Sequence, residues 1–244
     1  MDISQEEAKL NIQESVEIKI RTYFSIQHIQ SAALFCRITH ALENQYDGNY
    51  NQELFTEYKA YATNAIFSSV CFLEATINEI FCDAIDSPDR ISALGEDKIR
   101  LLGNMWSLDV PRTASYPIVD KYQIALTLLE KPLFDRGLSP FQDVQILVQL
   151  RNALMHYEPE WFLGYSSSNS ELESLNKLSK RLKDKFEISK IFKNTGNSFF
   201  PDKCMGYGCA KWAVIKSIDF ADNFFTKIGM KSTFEYVRHN LKTE

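Results

Sequence analysis

Apolar positions along most of the chain recur at the three-to-four spacing of an amphipathic helix. Residues 15–24 (SVEIKIRTYF) are the exception. Val16, Ile18 and Ile20 alternate with Glu17, Lys19 and Arg21, a period of two that predicts one short N-terminal strand, with a helix as the other reading. From Ser25 to Asn44 the spacing of Ile29, Ala32, Ala33, Cys36 and His40 predicts a helix, and DGNYN (47–51) a turn. A long helix follows over 52–85, faced by Leu54, Tyr58, Tyr61, Ala65, Val70, Leu73, Ile77, Phe81 and Ile85. It is apolar nearly all round in its middle, as a central buried helix is, and Ser87-Pro88 ends it. A weaker helix (90–107), a loop (108–115) and helices over 118–130 and 140–157 come next. After them stand a Ser-rich loop (163–170), a polar helix (171–187) and an irregular stretch (193–208). Ala210, Ala213, Val214, Ser217, Phe220, Phe224 and Ile228 mark a last clear amphipathic helix, stopped by Gly229, and a short helix closes the chain at 233–242. The pattern predicts an all-α bundle of six to eight helices with no internal repeat. It reads as one domain: a core bundle over 25–162, a loop and basic insertion over 163–208, and C-terminal helices over 209–242 packing back.

Composition agrees with that reading. The 244 residues are 45% hydrophobic and 13% aromatic, enough for a sizeable core, and nine Gly and seven Pro are few for a turn-rich β-sandwich. The first ten residues (MDISQEEAKL) lack the basic start and apolar stretch of a secretory signal. The most apolar window, 65–73, falls short of the roughly 18 residues that suggest a membrane span. Cys36, Cys71, Cys82, Cys204 and Cys209 are odd in number and lack CxxC spacing. Cys36, Cys71 and Cys82 sit in apolar helical patterns and read as small buried hydrophobes. Cys204 and Cys209 have no nearby histidine to complete a zinc site, and no metal or cofactor is expected. The simplest address is a reducing cytoplasm.

The formal charge of −5 argues against a uniformly basic coat for nucleic acid, but the charge is uneven. Residues 177–193 hold seven cations (Lys177, Lys180, Arg181, Lys183, Lys185, Lys190 and Lys193) against Asp184 and Glu187. That is a net +5, leaving −10 on the rest of the chain. Such a patch is a solvated helix face or a guide for a phosphate backbone.

Candidate chemistry concentrates in 139–162 (SPFQDVQILVQLRNALMHYEPEWF). Ser139 as N-cap, Pro140 at N1 and Gln142 at N3 predict a capping box, and Glu158 before Pro159 predicts a stop near Tyr157. Near the C-terminal end lie Arg151, Asn152 and His156. Histidine is the side chain that moves protons near neutral pH, and the carbonyl end of a helix favours its protonated form. Arginine supplies a fixed fork for the charge that develops on a phosphorane. Asn152 lies one turn before His156 on the same face and can orient the imidazole or hold a phosphate. Arg151 and His156 are five residues apart, roughly 140° around the axis, so one regular helix does not stack them. Either His156 lies where the helix unwinds, or a second copy completes the site.

Arg-x4-His with Asn after the Arg, at the end of a bundle helix, resembles the motif of HEPN domains. Residues 72–81 (FLEATINEIF), 150–161 (LRNALMHYEPEW) and 208–225 (GCAKWAVIKSIDFADNFF) together resemble a group of bacterial HEPN-like proteins. The resemblance implies a metal-independent endoribonuclease that uses the RNA 2′-hydroxyl as nucleophile on the adjacent phosphate. It implies Arg and His meeting across a homodimer, and service as a toxin or antiphage-defence effector with an antitoxin or defence-system partner. Arg151, Asn152 and His156 would be the catalytic residues. Some HEPN toxins carry a Tyr two residues after the His that a partner nucleotidyltransferase modifies; here Tyr157 follows directly and Glu158 holds that position.

Other residues are expected around this centre. Glu74 and Asn78, one turn apart on the most apolar helix, call for a partner, and one option is Glu74 fixing the Arg151 guanidinium. Lys177, Lys180, Arg181, Lys183 and Lys185 are the candidate RNA contacts. Trp161 and Phe162 are expected to pack the helix end or to stack a base. Gly206-Tyr207-Gly208 lacks the strand and the Lys-Ser/Thr of a phosphate loop, and His28, His40 and His239 read as structural. The alternatives to a ribonuclease are a silent HEPN module that binds nucleic acid or a protein partner, and a helical scaffold.

Overall fold

The computed structural model describes residues 20–49, 51–109, 116–159, 161–163, 173–174 and 177–244. The architecture is all-α. Its helices are α1 (Phe24–Gln45), α2 (Gln52–Asp86), α3 (Glu96–Ser107), α4 (Ile118–Leu128), α5 (Phe141–Met155), α6 (Lys177–Leu182) and α7 (Tyr207–Ile228). A 3₁₀ segment (Pro88–Leu94) precedes α3, a π-turn (Phe199–Lys203) precedes α7, and a 3₁₀ turn (Glu235–Asn240) follows it. Strands β1 (Phe162–Leu163) and β2 (Glu173–Ser174) pair antiparallel. The predicted strand over 15–24 lies outside the described residues up to Lys19; its last residue, Phe24, begins α1.

The bundle is organised around α2. Asn51 caps it by accepting from the Leu54 amide at 3.1 Å. Helices α1, α3, α4, α5 and α7 all pack on it. Ile66, Val70, Phe72, Leu73, Ile77 and Phe81 are fully buried there, among Ile29 and Cys36 of α1, Leu147 and Leu150 of α5, and Phe220 and Phe224 of α7. Ile85, at the end of the predicted face, is exposed instead. By length and composition α2 would also fit a membrane span, with a mean hydropathy of 1.4 over 18 residues, but 56% of that window is buried inside the fold.

Several boundaries move. The predicted helix over 90–107 breaks at Gly95, whose φ of 84° no side-chain-bearing residue adopts cheaply. The polar helix over 171–187 shrinks to Lys177–Leu182 among the described residues, and Asp184 turns the chain at φ 66°. The Ser-rich stretch 164–172 lies outside the described residues. Gly229 adopts φ 76° and closes α7 with a Schellman pair of bonds, Gly229 N to Thr226 O and Met230 N to Phe225 O. Gly206-Tyr207-Gly208 is a packing device. A Cβ on Gly208 would strike the Glu187 carbonyl, and one on Gly206 would strike the Tyr58 hydroxyl. The glycines let the 187–189 segment cross the start of α7.

Candidate functional site

Helix α5 presents the motif. Gln123 of α4 fixes its approach by donating to the Phe134 carbonyl (2.8 Å) and accepting from the Phe134 amide (3.0 Å). The expected capping box does not form. Pro140 occupies the cap position without a side-chain bond, and the Ser139 hydroxyl donates to the Asp143 carboxylate at 2.8 Å. Asp143 also receives Lys185 at 2.8 Å and Lys216 at 3.4 Å, tying the basic segment and α7 to the start of α5. Burial pushes the Asp143 carboxyl up, but the bonds from Lys185 and Ser139 and the charges of Lys185 and Lys216 outweigh it and leave it below its usual range. A depressed carboxylate stabilises the fold above its unfolded value and loses that contribution as pH falls through the folded one. Asp143→Asn is therefore expected to cost about 2 kcal/mol at pH 7. The difference should shrink below about pH 4, as read by denaturant melts across pH.

The C-terminal end of α5 unwinds at the motif. The helix ends at Met155, two residues before Tyr157 and close to the expected stop. His156 is the cap residue (φ −109°, ψ 46°), and its amide donates to the Asn152 carbonyl at 2.9 Å. His156 thus lies where the helix has already unwound. Asn152, His156 and Tyr157 are exposed, and Arg151 is half-buried. Met155 and Tyr157 expose about half of their surfaces (50% and 44%) and Trp161 nearly all of its own (90%), so Trp161 does not pack the helix end as expected. The Phe162 side chain lies outside the described residues.

Arg151 is half-buried on α5, which packs on α2. Its Nε is buried and makes no hydrogen bond. On α2 the polar positions Cys71, Glu74 and Asn78 fall at i, i+3 and i+7, along one side of the helix. Partial desolvation raises the Cys71 thiol, while the Arg151 charge lowers it and the Glu74 charge raises it. Cys71 is exposed, which corrects its reading as a buried hydrophobe; Cys36, Cys204 and Cys209 are buried.

Glu74 does not take the expected partner. It accepts from Lys121 of α4 at 2.7 Å, and Lys121 also donates to Asn78 at 3.2 Å. Lys121 is 1% exposed, whereas the Glu74 carboxylate is 35% exposed. The sequence reading missed Lys121. Its signal was a lysine three after Ile118 and four before Ala125, on the apolar stripe of α4, matching one acid misplaced on the apolar stripe of α2.

The basic segment divides. Arg181 of α6 donates to Gln149 of α5, which lies three and seven residues before Asn152 and His156 and so shares their face. Lys177, Lys180 and Lys183 are exposed, but Lys185 is held by Asp143 and is no free RNA contact. Among the described residues no three His, Cys, Asp or Glu side chains converge as a metal site would require. Compared with family models, curated proteins and solved structures, the chain matches none.

Proposed function

We propose that this chain is a metal-independent endoribonuclease of the HEPN type that acts as a homodimeric toxin or antiphage effector on RNA. His156 moves the protons, Arg151 binds the phosphate and its transition state, and Asn152 orients the imidazole. The observation that carries the reading is the state of the motif at the end of α5. Asn152 and His156 stand open to solvent, while the neighbouring Arg151 holds a buried nitrogen with no internal partner. The exposed Met155, Tyr157 and Trp161 offer apolar surface beside the motif for a second copy. Arg181, Lys177 and Lys180 supply positive charge near the face of α5 that bears His156. An antitoxin or defence-system partner belongs to the same reading, as does a cytoplasmic location, which suits five cysteines held as thiols.

Attack by the 2′-oxygen expels the 5′-oxygen of the next nucleotide, so the products carry a 2′,3′-cyclic phosphate and a 5′-hydroxyl. The expected result is cleavage of RNA in EDTA with these ends and none of the matching DNA. Binding without cleavage would sink the enzyme reading in favour of a silent binding module, which the same exposed apolar side chains also favour.

A further inference from the structure

Among the described arginines, Arg21, Arg90, Arg100, Arg136 and Arg238 pair with carboxylates. Arg181 does not. Its Nη1 donates to the neutral side-chain amide of Gln149, and its other nitrogens keep contact with solvent. A guanidinium has five donors in a fixed fork, so one bond to an amide anchors it and leaves both the charge and the remaining donors for an anion.

The helix that carries Arg181 is itself fixed. Leu178 and Leu182 of α6 are buried in the main core. Arg181 meets Gln149, and four residues later Lys185 meets Asp143, six residues earlier on α5. The 181–185 segment therefore runs antiparallel to α5. Lys177, one turn before Arg181 and exposed, extends the row toward the motif end. Gln149 shares a face with Asn152 and His156 and stands about 10 Å along the axis from His156.

We infer that Arg181 is a phosphate-binding residue on the motif face of α5 and that Gln149 is its positioning residue: the glutamine fixes the guanidinium beside the motif without cancelling its charge, and Arg181 takes a phosphodiester neighbouring the one at His156. The inference rests on the ribonuclease reading for which phosphate is cleaved, but not for the contact itself.

The test measures binding of a fluorescent, fully 2′-O-methylated RNA oligonucleotide, which cannot supply the nucleophile, by anisotropy across a salt series. Wild type should bind with an affinity that falls as salt rises. Arg181→Gln should weaken binding about 10-fold at low salt and reduce the slope of log K against log salt by about 1. Lys231→Gln removes an equal, exposed charge beyond α7 and should leave the slope near the wild-type value. Gln149→Glu keeps a bond to Arg181 but makes it an ion pair; it should hold the melting temperature and still weaken binding. Gln149→Ala should weaken binding in the wild-type background and add nothing in the Arg181→Gln background, because it acts through the guanidinium. A pair that only braces α6 on α5 would leave RNA binding unchanged in Gln149→Glu. With cleavable RNA, Arg181→Gln should raise KM and leave kcat near the wild-type value, whereas His156→Ala lowers kcat. The inference is overturned if wild type does not bind the oligonucleotide or if Arg181→Gln leaves the slope unchanged. It is equally overturned if Lys231→Gln reduces the slope as much, or if Gln149→Ala still weakens binding once Arg181 is gone. The expected binding pattern without cleavage of natural RNA would remove the ribonuclease reading and leave the phosphate contact standing.

Discussion

His156→Ala is expected to slow RNA cleavage by about 10²–10⁴-fold, the range for removing a positioned acid–base group. Stability should stay within about 0.5 kcal/mol of wild type. The asymmetry follows from where the residue sits. His156 is exposed at the cap of α5, and its fold-supporting bond, to the Asn152 carbonyl, is made by its backbone amide, which alanine retains. Replacing the ring removes no core contact and leaves no buried group unpaired. Asn152→Ala, which removes the neighbouring exposed amide, should cost less because the imidazole stays in place. Single-turnover cleavage of an end-labelled RNA, with thermal melts on the same samples, reads both quantities. A folded His156→Ala with unchanged cleavage would falsify the acid–base role.

The parts of this molecule that sequence reading reached are those where one helix speaks for itself. Helix α2 announces itself by apolar residues on every side between Ala65 and Leu73, and α7 by its stripe from Ala210 to Ile228 with Gly229 behind it. The Arg151–His156 motif was legible because residue type and spacing within one helix suffice to pose it. What stayed hidden depends on contacts between distant segments. Period alone predicts α6 running to Glu187, but Asp184 turns the chain so that Lys185 reaches Asp143, 42 residues away. Sequence alone offers Arg151 as one partner for Glu74; packing of α4 on α2 brings Lys121 there instead, 47 residues along the chain. A cation and an acid each misplaced on an apolar stripe are a usable sign of such a pair, but the sign names no partner until the helices are docked.

Arg151→Met is the converse of the usual core substitution: it should abolish function without weakening the fold. The Arg151 Nε is buried and lacks a hydrogen bond, and an orphaned buried donor typically costs about 1–3 kcal/mol of stability. Methionine is unbranched, has three rotatable bonds and can follow the path of the arginine stem between α5 and α2 while removing that donor. Stability should therefore hold or rise by about 1 kcal/mol. Cleavage should fall by about 10²–10³-fold, the loss seen when one preorganised donor to a developing oxyanion is deleted. Arg151→Lys should recover little of it, because an ammonium lacks the planar fork of the guanidinium. A residue kept only to brace the helix end would behave in the opposite way, losing stability with Met and tolerating Lys. Parallel urea melts and cleavage assays on the two variants separate these outcomes. A clear drop in the stability of Arg151→Met would show that the guanidinium is held by the fold rather than reserved for a phosphate.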